Sequence, residues 1–338
     1  MPPMLRKLCV LSSLFLAFAL FLASALAAYA QDARHFTFHY SFTVRNIPGE
    51  KKVRIWIPAA QSDAYQEVKI ISAQGDLPLK KNTESKYGNQ LYYAETSDAK
   101  QSELHFDVEY EVTRRERLAL GQTAPHAVKV SLSSREKRGD LQPDALVPVT
   151  GLPADLAVKV TQDKVQPLDK ARAIYDYVFT TMRYDKTGTG WGHGDVLYAC
   201  DAKKGNCTDF HSLFIAMARS QGIPARFEIG FPLPPDKHSG EIAGYHCWSD
   251  FYIDGKGWIP VDISEAWKHP DKRAYFFGSH DVNRMQFSMG RDLQLNPPQG
   301  GKPLNYFVYP YVEVDGREFP NVSLAFSFAD TGPTVAAR

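Results

Sequence analysis

Apolar and polar residues alternate most regularly in two stretches. HFTFHYSFTV at 35–44 places Phe36, Phe38, Tyr40, Phe42 and Val44 on one face, and ELHFDVEYEV at 103–112 does the same with Leu104, Phe106, Val108, Tyr110 and Val112. A period of two predicts half-buried strands. Between them VRIWIP and QEVKIIS predict shorter strands separated by Pro, Gly and Asn turns, so residues 31 to about 140 are expected to form an antiparallel β-sandwich. No chemistry is visible there, which fits a scaffold or docking module. The period changes after Gln166, where apolar positions 168, 171, 174, 175, 178, 179 and 182 follow helical spacing behind Pro167, a residue suited to a first turn. A mixed loop at 183–206 leads to a second, more apolar helix over NCTDFHSLFIAMARSQG. Gly222 ends that helix, and Ile223-Pro224 forces an extended exit into the strand ARFEIGF.

The second helix opens on a cysteine. Asn206 suits an N-cap and Asp209 stands three residues later, a variant of the capping box, so Cys207 is the expected first helical residue. At that position unpaired backbone N–H groups and the helix dipole favour a thiolate, and the same N–H groups can hold an oxyanion. A thiolate nucleophile needs a base, and the base needs a group that orients it. GYHCWSDFYIDGKGWIPVDISEA supplies His246 on one predicted strand and Asp262 on the next, across the turn Asp254-Gly255-Lys256-Gly257. His211, one turn after Cys207, is a rival base, but side chains at i and i+4 run parallel along a helix rather than converging. A zinc site of Cys200, Cys207, His211, His246 and Cys247 has suitable ligand types but no CxxC or HExxH pairing.

The segment from about 165 to 265 closely resembles the transglutaminase-like superfamily of papain-like Cys-His-Asp enzymes. Three motifs carry the resemblance: a cysteine opening a helix that ends in a GIPAR turn, a histidine followed two residues later by Trp248, and an aspartate closing a GW-x-P-x-D strand. The resemblance implies Cys207 as nucleophile, His246 as general base and acid, and Asp262 as the group orienting the imidazole. It implies an α+β protein, with the N-terminal β-sandwich followed by a papain-like core in which a helix-borne cysteine packs on an antiparallel sheet. Trp191, in the glycine-rich segment TGTGWGHGD, is an oxyanion-hole candidate because a tryptophan serves that role in some family members. Trp248, Trp258 and Trp267 are read as packing residues. The implied chemistry is acyl transfer or hydrolysis at amide bonds through a thioester, on a glutamine side chain or a peptide-like bond. The alternative is a non-catalytic relative that binds peptide or cell-wall material. No cofactor, metal or calcium loop is expected.

The N-terminus sets the compartment. Arg6 and Lys7 precede an apolar run from Leu8 to Leu26 and the small-residue sequence Ala28-Tyr29-Ala30, which reads as a signal peptide over 1–30, with a retained membrane anchor as its rival. The expected localisation is periplasmic or secreted, with no membrane insertion after cleavage. Removing Arg6 and Lys7 from 39 Lys plus Arg leaves 37 against 38 Asp plus Glu, a balance that offers no electrostatic reason to bind nucleic acid or anionic lipid. Peptide or protein is the expected partner. The expected units are the sandwich at 31–150, the transglutaminase-like domain at 151–285 and a C-terminal β extension at 286–338.

Two structural expectations follow. If Cys207 stays free, the remaining cysteines in an oxidising compartment are Cys200 and Cys247, expected to pair, because strand alternation points Cys247 away from the face carrying His246. An ideal two-residue turn at Gly255-Lys256 would pair Asp254 with Gly257 and set Asp262 opposite Ser249, on the face away from His246. A His246–Asp262 contact therefore requires an odd shift, supplied by a three-residue loop or a bulge at the two glycines.

Overall fold

The protein is described from a computed structural model that covers residues 33–120 and 131–332. The expected signal peptide lies outside the described residues. Among them, no helix is long and apolar enough to cross a membrane.

Among the described residues, eighteen strands and six α-helices follow one another. The first seven strands are β1 (Ala33–Val44), β2 (Val53–Pro58), β3 (Gln66–Gly75), β4 (Lys80–Thr83), β5 (Gln90–Thr96), β6 (Leu104–Arg115) and β7 (Arg117–Leu118). Next come α1 (Ser134–Gly139), α2 (Leu152–Thr161), α3 (Pro167–Thr181), β8 (Arg183–Tyr184), α4 (Val196–Ala202), β9 (Lys204–Gly205) and α5 (Cys207–Ser220). Then follow β10 (Ala225–Pro232), β11 (Ser239–Glu241), β12 (His246–Ile253), β13 (Gly257–Val261) and α6 (Ile263–Lys268). The last are β14 (Ser279–His280), β15 (Arg284–Met289), β16 (Tyr311–Val314), β17 (Arg317–Glu318) and β18 (Val322–Asp330).

Two five-stranded antiparallel sheets hold the N-terminal strands, in the orders β11-β18-β1-β6-β3 and β17-β16-β2-β5-β4. The period of two is realised along β1, where Phe36, Phe38, Tyr40, Phe42 and Val44 are all buried while their neighbours are partly exposed. Each such side chain contributes about 1.5–3 kcal/mol. The C-terminal residues do not form a separate extension. β18 pairs with β1 from Val44↔Val322 to Phe36↔Asp330, and β16 pairs with β2, so both N-terminal sheets are completed by strands from the far end of the chain. Sequence pattern reveals a strand's face but not its partner, which is why this closure was not visible in it.

A four-stranded sheet, β13-β12-β10-β15, carries the second half of the core, with α5 packed on it. α5 is buried along nearly its whole length, from Cys207 to Arg219. Its sheet joins the N-terminal sheets through aromatic packing: Phe38 meets Phe231 at 5.2 Å between ring centroids, Tyr40 meets Phe287 at 5.5 Å, and Phe231 meets Phe326 at 4.5 Å. The N-terminal strands thus buttress the sheet that bears His246.

Gly230 marks the tightest point of this sheet. It pairs with His246 on one side and with Gln286 on the other, at a register shift between Ile229 and Gly230, and a Cβ there would fall on the backbone carbonyl of Met285. Backbone cannot swing aside as a side chain does. Gly230→Ala is therefore expected to cost about 3 kcal/mol or more, the upper end of overpacking penalties; a thermal melt within experimental error of wild type would contradict this packing.

Candidate active site

Cys207 is the first residue of α5, and Asn206 is its N-cap. The Asn206 side chain accepts from the Thr208 amide at 2.9 Å, and the Asp209 carboxylate accepts from the Asn206 amide at 2.9 Å, completing the capping box. Asp209 does more than cap. It also accepts from the amides of Gly192 at 2.7 Å and Gly194 at 3.0 Å, pinning the glycine-rich segment to the start of α5. Gly194, at φ 62°, has no room for a Cβ between Thr208, Ser212 and Arg291. Arg291 grips the same segment from the other side through the carbonyls of His193 and Gly194.

β12 and β13 are joined by a three-residue loop, closing on Ile253↔Gly257 with Ser249↔Val261 beyond it. This is the odd register that a His246–Asp262 contact requires. Gly255 and Gly257 take φ of 76° and 84°, as the loop demands. His246 Nε2 lies 2.7 Å from Asp262 Oδ2. The imidazole thus donates through Nε2 and keeps Nδ1 for another partner, and the Cys207 thiol is close enough that each group shifts the other's titration.

Asp262 is wholly buried and caps α6. Its Oδ1 accepts from the Ser264 hydroxyl at 3.1 Å and the Glu265 amide at 3.0 Å, while Oδ2 also accepts from Arg284 Nη1 at 2.9 Å. Burial alone would raise its pKa, but the charge and hydrogen bond of His246, with the charge of Arg284, hold it well below the usual carboxylate range. His246 follows the same logic with opposite sign: burial disfavours its charged form, yet the Asp262 charge and hydrogen bond, then Cys207, raise it to about 10. Burial pushes the Cys207 thiol up, and hydrogen bonds to Cys247 and His246 together with the His246 charge pull it well below its ordinary value. The pair can therefore rest as thiolate and imidazolium.

The other candidates fall in different places. Trp191 donates its indole N–H to the Gly188 carbonyl at 3.1 Å, so that donor is turned into its own loop and not toward Cys207. Cys200, Cys207 and Cys247 are all free thiols, and the expected Cys200–Cys247 pair is absent. Cys247 faces α5, with its sulfur 3.7 Å from Thr208 Oγ1 and 3.9 Å from His211 Nδ1, and it shares a hydrogen bond with Cys207. Strand alternation holds, but α5 covers the Cys247 face of the sheet. His246, first residue of β12, reaches the same thiol from the strand end. The zinc donor set is not assembled either, since both His211 nitrogens are engaged by backbone groups. Trp248 is buried and donates to Glu228 at 2.7 Å.

Three contributors escaped sequence reading. Arg284 lies 22 positions beyond Asp262 and carries no local signal. Tyr245 reaches Asn206 Nδ2 and Thr208 Oγ1 at 3.0 Å each, bracing the turn on which Cys207 stands. The third, the cap that Asp262 forms on α6, also went unread, although Asp262-Ile263-Ser264-Glu265 has N-cap spacing. Beside His246 a cleft of about 400 Å³ opens between the loop at 232–235, residues Ile242 to Gly244, and α6 with Glu265.

Comparison with known proteins agrees with this geometry. Residues 154–263 match the family model of the transglutaminase-like superfamily. The chain carries a transglutaminase-like domain. An uncharacterized protein of Haemophilus influenzae is 29% identical over 327 residues, covering 85% of this chain and 88% of its own. The uncharacterized protein YebA of Bacillus subtilis is 28% identical over 129 residues, 34% of this chain and 18% of its own. Among solved structures, a candidate cysteine protease from Cytophaga hutchinsonii superposes with a TM-score of 0.57 over 89% of this chain and 92% of its own, at 15% identity. That likeness is one of fold and extends across the N-terminal sheets as well as the transglutaminase-like domain.

The charge balance at Cys207 gives a direct test. In His246→Gln the imidazolium is lost while burial remains, so the thiol should rise above its ordinary value. Iodoacetamide alkylation of Cys207 at pH 7 is expected to fall at least about tenfold, because below its pKa a thiol loses a decade of thiolate for every pH unit by which that pKa rises. Equal rates in wild type and variant would mean that His246 does not hold the thiolate.

Proposed function

We propose that this protein is a cysteine-nucleophile enzyme that cleaves or transfers acyl groups at amide bonds of peptide or protein substrates. The observation that carries this reading is the Asp262–His246 hydrogen bond of 2.7 Å beside a cysteine at a helix N-terminus whose titration His246 pulls down. In this reading the Cys207 thiolate attacks the amide carbonyl. The oxyanion meets the Cys207 amide, which at the first helical position has no intrahelical acceptor. His246 then gives its proton to the departing amine, leaving a thioester on Cys207. It next takes a proton from the incoming water or amine, and the second addition releases Cys207 as thiolate.

Asp262 keeps His246 in the required tautomer and compensates its charge, and Arg284 prevents the carboxylate from turning away. The cleft beside His246 lies where a leaving or incoming amine exchanges its proton, so it is assigned to that partner and Cys207 to the acyl side. The signal-peptide pattern supports action in the periplasm or outside the cell.

The reaction class is tested with a peptide library and a labelled primary amine. Wild type is expected to form a Cys207-dependent acyl-enzyme that passes its acyl group to water or to the label, and Cys207→Ala to form none. His246→Ala is expected to slow turnover by about 10²–10⁴-fold, the usual contribution of general acid–base catalysis. Unchanged turnover in Cys207→Ala would exclude the thioester route, and the ratio of labelled to hydrolysed product separates transfer from hydrolysis.

A further inference from the structure

A second buried histidine sits against the same three residues and has no part in the proton transfers described above. His211 lies on α5 one turn after Cys207 and is wholly inaccessible. Its Nδ1 is 2.7 Å from the Cys207 carbonyl oxygen, which can only accept, and its Nε2 is 3.0 Å from the Ile263 amide, which can only donate. These two partners fix the tautomer: Nδ1 bears the proton, Nε2 offers its lone pair, and the ring is neutral.

The residues joined in this way are informative. Cys207 is the start of α5, and Ile263 is the first residue of α6, immediately after the cap Asp262. A single side chain therefore links the helix terminus bearing the thiol to the helix terminus bearing the carboxylate. The groups facing His211 are Asp262, whose Oδ1 is 3.6 Å from Nε2, the Cys247 sulfur at 3.9 Å from Nδ1, and the charges of Cys207 and His246. A proton on Nε2 would require the Ile263 amide to lose its acceptor inside a dry core.

We infer that His211 is a positioning residue: a neutral imidazole that clamps Cys207 to Ile263 and so sets the spacing of nucleophile, His246 and Asp262 while taking no proton itself. The clamp also explains why two imidazoles can border one carboxylate without competing for its charge. Only His246 is free to become imidazolium. The inference rests on the reading of Cys207 and His246 given under Proposed function.

The test measures the pH profile of Cys207 alkylation by iodoacetamide in the full chain, with melting temperature recorded in parallel. His211→Phe fills the volume without either hydrogen bond. It is expected to move the profile to higher pH, cutting the rate at pH 6 about tenfold for every pH unit by which the midpoint rises above 6. His211→Asn, whose amide can donate as Nδ1 does, and His211→Gln, whose oxygen can accept as Nε2 does, are each expected to restore part of the wild-type rate at that pH. A folded His211→Phe protein with an unmoved profile overturns the clamp and leaves the functional reading intact. Where His211→Phe does not fold, profiles of the Asn and Gln variants identical to wild type overturn it instead. An ordinary thiol profile in wild type itself removes both the thiolate reading and the inference built on it.

Discussion

Burying a carboxylate costs several kcal/mol unless its lone pairs and charge are met, and this site is organised around one such group. Asp262 has no exposed surface and accepts from four donors: His246, Arg284, Ser264 and the Glu265 amide. The four donors come from three separate constraints. His246 is set by the register of β12 on β13, Arg284 by the strand on the far side of β10, and the last two by the first turn of α6. Loss of any one leaves an underpaired charge in the core, so the requirement to satisfy Asp262 ties helix, hairpin and outer strand into one geometry. Catalytic competence in this reading is a by-product of electrostatic satisfaction.

Cys207 is supported by the same kind of economy at a smaller scale. Asp209 caps the helix that Cys207 begins and, with its remaining valence, holds Gly192 and Gly194 in place. Arg291, itself almost wholly buried, takes the carbonyls of the same loop. The loop is thereby fixed as firmly as the helix, although it contains three glycines with positive φ in five residues, Gly190, Gly192 and Gly194. Its aromatic residue, Trp191, is turned into the loop rather than onto the thiol, so the wall beside Cys207 is made by Tyr245 and its contacts with Asn206 and Thr208.

The N-terminal sheets take part in this arrangement through packing. Phe38 and Tyr40 of β1 lie against Phe231 and Phe287, which stand on β10 and β15, the strands that carry Gly230 and lead from Arg284. A β region with no chemistry of its own therefore backs the strands on which the chemistry is mounted. Because β18 closes β1 and β16 closes β2, these late strands are as much a part of that support as β1 and β2 themselves.

Local signals in the sequence determined the elements and their ends. The period of two along β1 and β6, the helical spacing from Leu168 to Met182, the Asn206 and Asp209 caps and the Gly222 stop are each set by interactions within a few residues, and short-range interactions are legible in order along a chain. The Cys, His and Asp motifs were legible for the same reason, as was the parity argument that a three-residue loop between β12 and β13 would put His246 and Asp262 on one face. Tertiary structure alone decided what those residues meet. Whether Cys247 faces Cys200 or Cys207 depends on which side of the sheet α5 covers; whether Trp191 can serve an oxyanion depends on how its loop folds back; and Arg284 and His211 acquire their partners through contacts 22 and 52 positions distant. Alternation along a strand defines two faces but not which one is covered, because covering is a choice made by packing between elements, and that information is spread over the whole chain.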